Sequence, residues 1–292
     1  MTKKSKNFII GLSNFFNGAN EKMRVLAIND VSCVGKCSLT VALPVISACG
    51  VTCDILPTAV LSTHTGGFEG YTFRDFSKDI KGILKHWKSL NLKFDIIYSG
   101  YLGNISQIEM VAEIKNQFLS PDGFFVVDPV MGDNGNLYKG FTKEFVAKMQ
   151  SLCKQADYIL PNLTEACALA NLPYPCENIH LVLKHLSKLC KTSIVTGIVE
   201  DKAMAVHYLD KTGDCKKYLS SNVEGFFHGA GDVFASAFVG CLAKGKSQEE
   251  SIRLATDFTS ASVRRSAIEV EDKRYGLNFE AEIFTFLKNL NG

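Results

Sequence analysis

The sequence contains no uninterrupted apolar run of about 18 residues, the length that a helix needs to cross a bilayer. It also lacks an excess of charge: 32 Lys and Arg residues stand against 30 Asp and Glu, a formal net charge of +2. This balance excludes the concentrated positive field that binding to a nucleic-acid backbone requires. No low-complexity linker divides the 292 residues, so one large α/β domain fits the length at least as well as two small ones. These absences favour a soluble globular enzyme without a nucleic-acid or membrane partner.

Disulfide bonds are not expected, although the chain has 10 cysteines. A chain of this length can bury a core without covalent cross-links, and the cysteines do not form the compact, evenly spaced framework of small secreted proteins. We therefore expect reduced thiols and a cytoplasmic protein.

The first 22 residues differ in composition from the rest of the chain. They are basic, rich in Asn and Phe, and contain no acidic residue before Glu21. Their apolar stretch Phe8-Ile9-Ile10 is too short for the core of a signal peptide. We predict a poorly ordered N-terminal extension over residues 1–22 and a single domain over residues 23–292.

Beyond Met23, apolar runs with strand character alternate with segments of helical periodicity. Such alternation predicts a parallel sheet with helices packed against it. The predicted strands are 24–28, 52–59, 94–98, 124–127, 158–160 and 193–195. The predicted helices are 36–49, 73–90, 105–119, 230–243, 248–265 and 279–289, and a β-hairpin is predicted from 203–208 and 217–219.

Polar residues follow two of these strands directly. Asp128 comes after the strand 124–127, and Thr196-Gly197 comes after the strand 193–195. In parallel sheets, ligands bind at the edge where the strands end. We therefore expect the functional site at the carboxyl edge of the sheet.

A turn of small residues, Gly229-Ala230-Gly231, leads into an apolar helix. Small residues let the backbone N–H groups at a helix N-terminus come close to an anion, so this segment predicts a phosphate site. Asp232 directly after the turn is interpreted as a base beside that site; the alternative is that it only caps the helix. Phe234 stands where a dinucleotide fingerprint has its third glycine, which excludes that motif.

The segment Gly229-Ala230-Gly231-Asp232 resembles the GxGD signature of the ribokinase superfamily, ATP-dependent kinases of small alcohols. Four further segments resemble, in order and spacing, the pyridoxal (pyridoxamine/pyridoxine) kinase branch. They are STHTGGF at 62–68, SGYLG at 99–103, DPVMGD at 128–133 and PNLTE at 161–165. The resemblance extends from about Arg24 to the C-terminus.

This resemblance implies a ribokinase-like three-layer α/β sandwich: a mostly parallel sheet, helices on both faces and a substrate flap at about residues 60–72. It implies transfer of the γ-phosphoryl group of ATP to the 5′-hydroxymethyl group of pyridoxal, pyridoxine or pyridoxamine. A homodimer is implied in the same way.

The resemblance also implies roles for individual residues. Asp232 becomes the catalytic base, with Gly229, Ala230 and Gly231 as the anion hole. Magnesium accompanies ATP and is held through water by Asp133 and Glu165, and a monovalent cation is a further expectation. The residues assigned to the nucleotide are Asp128, Asn162, Thr196, Gly197 and Phe227.

The implied contacts to the pyridine ring and its substituents are Asp30, His64, Thr65 and Tyr101. Several of these residues could instead have a purely structural role. His64 and Tyr101 could be packing residues, and Asp128-Pro129 could be a turn that ends a strand. Asn162 with Glu165 has the spacing of a helix N-cap and its N3 partner, a role that is compatible with positioning a metal.

One departure from the pattern leaves the substrate open. Pyridoxal kinases commonly have Ser where Asp30 stands, whereas Asp at this position is similar to hydroxymethylpyrimidine (phosphate) kinases. Against that relative, the loop after Asp30 lacks its Gly-rich run, and the SxHTG segment favours vitamin B6. Two alternatives therefore remain: a hydroxymethylpyrimidine kinase, and a non-catalytic vitamer- or nucleotide-binding protein of the same fold.

Overall fold

The computed structural model describes residues 23–200, 203–221, 225 and 227–292. The extension predicted over residues 1–22 lies outside the described residues. Within these ranges, no helix combines the length and the apolar character that crossing a membrane requires. The ten cysteines are all free thiols.

The strands carry the labels used below. They are β1 (Arg24–Ser32), β2 (Thr52–Leu61), β3 (Phe73–Asp75), β4 (Phe94–Ser99), β5 (Leu119–Val127), β6 (Gly132–Asp133), β7 (Asn136–Leu137), β8 (Tyr158–Ile159), β9 (Thr192–Glu200), β10 (Ala203–Leu209) and β11 (Cys215–Ser221).

The helices follow in chain order between and after these strands. They are α1 (Leu39–Ala48), α2 (Ser77–Ser89), α3 (Ile105–Phe118), α4 (Lys143–Cys153), α5 (Leu163–Ala170), α6 (Ile179–Leu186), α7 (Ala230–Ala243), α8 (Gln248–Glu269) and α9 (Ile283–Asn291), with a 3-10 turn at Lys273–Tyr275 before α9.

The main sheet has nine strands in the order β11-β10-β9-β8-β5-β4-β1-β2-β3. The pairs from β9 to β2 are parallel, and the pairs at the two margins are antiparallel. One hydrophobic core lies between the sheet and helices α2 to α6, and a second lies under α1, α7, α8 and α9. The predicted α/β architecture, a mostly parallel sheet with helices on both faces, is confirmed.

The predicted helix 73–90 is wrong at its start. Phe73–Asp75 forms β3, which pairs antiparallel with the end of β2. The helix begins at Ser77, whose backbone N–H donates to Asp75 Oδ1 over 2.6 Å. The loop between β2 and β3 spans residues 62–72, where the substrate flap was expected, and the two strands form its antiparallel base.

The first predicted helix starts three residues later than expected. Lys36 forms a bridge with Gly276, and Ser38 forms one with Val31. Ser38 also has a positive φ of 58°, which interrupts helical geometry, so α1 begins at Leu39. The last helix likewise begins later, at Ile283 instead of residue 279.

Thr196-Gly197 does not follow its strand but lies inside it. β9 pairs in parallel with β8 at Thr192 and Ser193, and then continues to Glu200 by pairing antiparallel with β10. The predicted hairpin is confirmed as β10 and β11.

The aromatic cluster in the first core provides a stability prediction. Phe94 is fully buried, with its ring centroid 5.7 Å from that of Trp87 and 6.5 Å from that of Phe118. We expect Phe94→Ala to lower the free energy of unfolding by about 3–5 kcal/mol, because it leaves a cavity in a packed core. Phe284, which is 79% exposed, is the matched control, and Phe284→Ala should cost less than about 0.5 kcal/mol. Urea unfolding followed by circular dichroism measures both; equal losses would contradict the assignment of this core.

Candidate active site

Polar residues from neighbouring parallel strands meet at the carboxyl edge of the sheet. Asp30 lies near the end of β1, and Asp128 directly follows β5, with its backbone N–H bonded to Ser99 O over 2.8 Å. Asn162 follows β8 and forms a bridge with Thr196 of β9. The sequence separates these residues by up to 166 positions, and the parallel strand order brings them to one edge.

The N-terminus of α7 faces this edge through a glycine turn. Gly229 has φ 80°, and a Cβ there would collide with the carbonyl oxygen of Lys36, so this position requires glycine. A Cβ at Gly231 would meet no atom within 4 Å, so the helix end is open on that side. The first amides of a helix have no partner within it, and they carry the positive end of its dipole. This helix end is therefore suited to bind an anion.

Asp232 is the third residue of α7, and its carboxylate is bonded to other segments. Asn29 Nδ2 lies 3.5 Å from Asp232 Oδ1, and the backbone N–H of Ser38 also donates to this carboxylate. The N-cap of α7 is Gly229, and no side chain caps the helix. This is not the arrangement of a capping residue. Burial, with a contribution from the neighbouring Asp30, raises the pKa of Asp232 to about 7, a value suited to a base near neutral pH.

Three more carboxyl groups surround this position. Burial and the charges of Glu165 and Asp232 raise the pKa of Asp128 well above its usual range. Burial also raises the pKa of Glu165 to about 8, and it raises the pKa of Asp133. The four groups form an acidic cluster, and each member makes ionisation of its neighbours less favourable.

The spacing of Asn162 and Glu165 produces the predicted capping box at the start of α5. Asn162 Oδ1 accepts the Glu165 N–H over 3.0 Å, and Glu165 Oε2 accepts the Asn162 N–H over 2.9 Å. Glu165 Oε1 also accepts the N–H of Met131, and Asn162 Nδ2 donates to Gly132 O. The capping pair therefore also fixes the loop that carries Asp133.

The acidic cluster fits a magnesium ion that is held indirectly. Among the described residues, no three acidic, histidine or cysteine side chains are arranged as direct ligands of one ion. Mg²⁺ usually retains several waters and binds through one or two carboxylates together with substrate phosphates. Several carboxyl groups of raised pKa beside a helix end that is suited to anions match that mode of binding.

The predicted substrate side is centred on Asp30, whose side chain is buried. Asp30 Oδ2 accepts the hydroxyl of Ser32 over 3.0 Å, and Oδ1 accepts that of Ser38 over 2.6 Å. Burial raises the pKa of Asp30. Burial, together with the charge of Asp30, raises the pKa of Tyr101 to about 12. The Tyr101 ring stacks on Phe141 at 5.9 Å, so its packing role and its place beside Asp30 coexist.

His64 connects the flap to the segment before α9. Its Nδ1 accepts the N–H of Gly66, so the proton is on Nε2, which donates to Arg274 O over 2.5 Å. The His64 ring is buried and lies 4.9 Å from the ring of His228, directly before the glycine turn. Both ring nitrogens thus bond to backbone, as expected of a packing histidine, while Thr65 is exposed.

Three residues that were predicted to contact the nucleotide, Thr196, Gly197 and Phe227, are at least partly exposed. Thr196 is half-buried with its backbone N–H bonded to Pro161 O over 2.9 Å, and Gly197 is exposed with φ 72°. The Lys273 ammonium lies 4.8 Å from the ring centroid of Phe227. The neighbouring residues 222–224 and 226 lie outside the described part of the chain.

Two residues at the site were missed from the sequence. Asn29 is fully buried; besides its contact with Asp232, its Oδ1 accepts the N–H of Tyr101 over 2.8 Å. Its position directly before Asp30, at a strand end, is the only signal that the sequence offers. Tyr138 lies close enough to all four carboxyl groups that their charges, added to burial, raise its pKa. No pattern around Tyr138 indicated this.

The parallel sheet, the glycine turn before α7 and the acidic cluster define a kinase of the ribokinase superfamily, which transfers phosphoryl groups to small alcohols. Residues 43–278 match the phosphomethylpyrimidine kinase family, and the chain belongs to this family.

The chain is similar to two solved structures and to one further relative. A Bacteroides thetaiotaomicron protein assigned to the phosphomethylpyrimidine kinases, crystallised with pyridoxal, is 34% identical with a TM-score of 0.85, over 93% of this chain and 96% of that one. Pyridoxal kinase from Lactobacillus plantarum is 31% identical with a TM-score of 0.86, over 91% and 97%. Pyridoxal kinase of Arabidopsis thaliana is 25% identical over 260 residues, 83% of this chain and 82% of that protein. The chain is therefore a kinase enzyme.

The position of Asp232 predicts separate effects on turnover and stability. Asp232→Asn keeps the size of the side chain but cannot accept a proton, so we expect kcat to fall by roughly 10²–10⁴. A kcat within about threefold of the parent, well short of this range, would exclude Asp232 as the base. Coupled measurement of ADP release determines kcat.

The raised pKa of Asp232 has a consequence for stability. A carboxyl group with a folded pKa of about 7 stabilises the fold fully only below its unfolded pKa, and this contribution is lost as the pH rises through about 7. The Asn variant cannot ionise, so its Tm should exceed that of the parent at pH 8 and approach it at pH 4. A Tm below the parent's at pH 8 would show that the ionised carboxylate stabilises the fold.

Proposed function

We propose that this enzyme transfers the γ-phosphoryl group of ATP to the 5′-hydroxymethyl group of a B6 vitamer: pyridoxal, pyridoxine or pyridoxamine. The observation that carries the proposal is the Asp232 carboxylate, which has a pKa of about 7 and lies in the first turn of α7 directly after the glycine turn. A base and an anion-binding helix end thus lie side by side. The relative crystallised with pyridoxal supports a B6 vitamer as the alcohol.

The chemistry follows from this pairing. Asp232 accepts the proton of the 5′-hydroxyl group, whose oxygen forms a bond to the γ-phosphorus as the bond from phosphorus to the β–γ bridging oxygen breaks. The amides of Gly229, Ala230 and Gly231 donate to the oxygens of the transferring group, where negative charge is concentrated. Asn29 holds the Asp232 carboxylate toward the site.

The acidic cluster faces the nucleotide side of the site. Asp133 and Glu165 would hold magnesium through water, and the ion would neutralise the β- and γ-phosphate charge. Both Glu165 oxygens accept backbone N–H groups, so its carboxylate is fixed in place before any ion binds. The residues proposed to border ATP are Asp128, Asn162, Thr196, Gly197 and Phe227.

The substrate ring would lie against the opposite wall, which Asp30 and Tyr101 form. Asp30 is anchored by two serine hydroxyls, so its carboxyl group is presented in a single orientation. His64 would act by holding the flap, because both its ring nitrogens bond to backbone. Thr65, on the exposed side of the flap, would reach the ring substituents when the flap moves inward.

A pyrimidine substrate is the second candidate, and two observations favour it. The matched family carries the name phosphomethylpyrimidine kinase, and Asp30 is similar to the residue of that branch. A carboxyl group at this position can accept a hydrogen bond from an amino group as well as from a protonated pyridine nitrogen. The base beside an anion site argues against a protein that only binds a vitamer or nucleotide, because binding alone needs no proton acceptor.

Three further expectations rest on the resemblance or on composition, and they stay predictions. They are a homodimer, a monovalent cation near the nucleotide, and a cytoplasmic location. Analytical ultracentrifugation tests the first, and initial rates in potassium compared with tetramethylammonium buffers test the second.

The proposed substrate predicts a ranking. One of the three B6 vitamers should have a higher kcat/KM than hydroxymethylpyrimidine, and ADP should form in equal amount to phosphorylated vitamer. A coupled assay with each alcohol measures the ranking, and mass spectrometry locates the phosphate. A higher kcat/KM for hydroxymethylpyrimidine would overturn the B6 assignment in favour of the second candidate.

Asp30 predicts a change in specificity. We expect Asp30→Ser to change the order or ratios of kcat/KM among the vitamers, because a buried polar group that loses its partner discriminates strongly between substrates. Asp122→Ser is the control, since Asp122 is exposed and lies on β5 away from its carboxyl end. Unchanged ratios in the Asp30 variant would place Asp30 outside the substrate contacts.

A further inference from the structure

The hydroxyl group of Tyr98 is buried where the charges of Asp128 and Asp232 act on it, and no role has yet been assigned to it. Tyr98 lies on β4, the strand between β1 and β5, and its side chain is 0% exposed. Its hydroxyl group has no hydrogen-bond partner among the described residues. Buried polar groups in proteins nearly always have a partner, so an orphaned phenol in a strand centre requires an explanation.

The strand register shows which way Tyr98 points. It pairs with Ala27 on β1 and with Val126 on β5, and all three belong to the core under α7. Side chains two residues apart on a strand share a face. Asn29 and Asp128 therefore follow Ala27 and Val126 on the side of the sheet that Tyr98 occupies.

Helix α7 brings Asp232 onto the same face. Asn29 Nδ2 contacts Asp232 Oδ1 at 3.5 Å, which places the carboxylate above the strands that flank Tyr98. Ser236, one turn further along α7, is 0% exposed and also has a hydroxyl group without a partner. The charges of Asp128 and Asp232 both act on the Tyr98 hydroxyl. Tyr98 and Ser236 thus provide two buried hydroxyl groups without partners near Asn29 and Asp232.

We propose that Tyr98 is a positioning residue of the phosphoryl-transfer reaction: its hydroxyl group donates a hydrogen bond, directly or through one water molecule, to the Asp232 carboxylate once that group ionises. The role of Asp232 rests on the proposed function, whereas the hydrogen bond itself can be tested without substrate. Hydrogen bonds of catalytic groups are often long in ligand-free structures and tighten in the reacting complex. A donor at this depth stabilises the charged form of the base and fixes its orientation.

Several groups other than Tyr98 influence the pKa of Asp232, and the test must leave them unchanged. The groups that act on it electrostatically lie on β1, directly after β5, in the loop before α1 and in the loop after β7. They are Asp30, Asp128, Cys37 and Tyr138. Since the substitution Tyr98→Phe removes one oxygen atom and leaves all four in place, a change in the titration reports the Tyr98 hydroxyl.

The first test is kinetic. The Tyr98→Phe variant lacks the proposed donor, so the ionised form of Asp232 is less stable in it. The acidic limb of the kcat/KM profile should therefore move to higher pH by about one unit, which is a tenfold change in the ionisation constant of Asp232. At pH 6.5 the rate should fall about tenfold, while near pH 9 it should approach the parent rate. A parent-like pH profile would overturn the proposal. A packing role alone would leave the limb unmoved and lower the rate, if at all, equally at every pH.

The second test needs no turnover. The side-chain carboxyl ¹³C signal of Asp232, identified by its loss in Asp232→Asn, is titrated in the parent and in Tyr98→Phe. The proposal expects a higher midpoint in the variant, and an equal or lower midpoint overturns it. If the parent phosphorylates no vitamer, the proposed function fails while this titration still decides the hydrogen bond.

The matched control makes the same chemical change elsewhere. Tyr208 on β10 is also buried, and its charged neighbours are Glu249, Asp210 and Lys216. Tyr208→Phe should leave the acidic limb and the Asp232 midpoint at parent values. A shift of the same size in both variants would show a general effect of removing a buried phenol and would overturn the specific role of Tyr98.

Discussion

Four carboxyl groups lie close together at one edge of the sheet, and the cost of ionising them there constrains the rest of the site. Burial makes each negative charge more costly, and proximity adds to that cost, so Asp128, Glu165 and Asp232 have raised pKa values. Protein groups offset part of this cost. Backbone amides bond to Glu165, and Asn29 with the Ser38 amide bonds to Asp232. The remaining negative charge suits a ligand that brings its own cations, as magnesium-bound ATP does.

The same constraint explains why the glycine turn and the acidic cluster occur together. A phosphate chain is repelled by carboxylates and attracted by a helix N-terminus. Gly229 permits α7 to begin directly against the Lys36 carbonyl, and Asp232 in the first turn brings the positive helix end beside the acidic cluster. Asp232 belongs to both the helix end and the acidic cluster, so a proton acceptor lies beside a helix end that is suited to bind an anion.

Close backbone contact between distant segments keeps this arrangement in place. Lys36 bridges Gly276, and the Lys36 N–H bonds to Tyr275 O over 3.1 Å. His64 adds its bond to Arg274 O from the flap. The first loop, the flap and the segment before α9 are therefore linked around the substrate side, and a movement of one should be transmitted to the others.

The sequence by itself determined the features that depend on neighbouring residues: the strand and helix alternation, the hairpin of β10 and β11, the capping box of Asn162 and Glu165, and the turn before α7. Local hydrogen bonds and side-chain periodicity encode all of these within a few positions. Tertiary structure alone decided that Phe73–Asp75 is an edge strand and that β9 runs through Thr196. It also decided that Asn29 contacts Asp232 and that the Tyr98 hydroxyl is buried without a partner. Each of these features depends on a partner strand or on a contact from another part of the chain. Asn29 and Asp232, for example, are 203 positions apart in the sequence. No local pattern specifies such partners, because they are selected by the packing of the whole sheet.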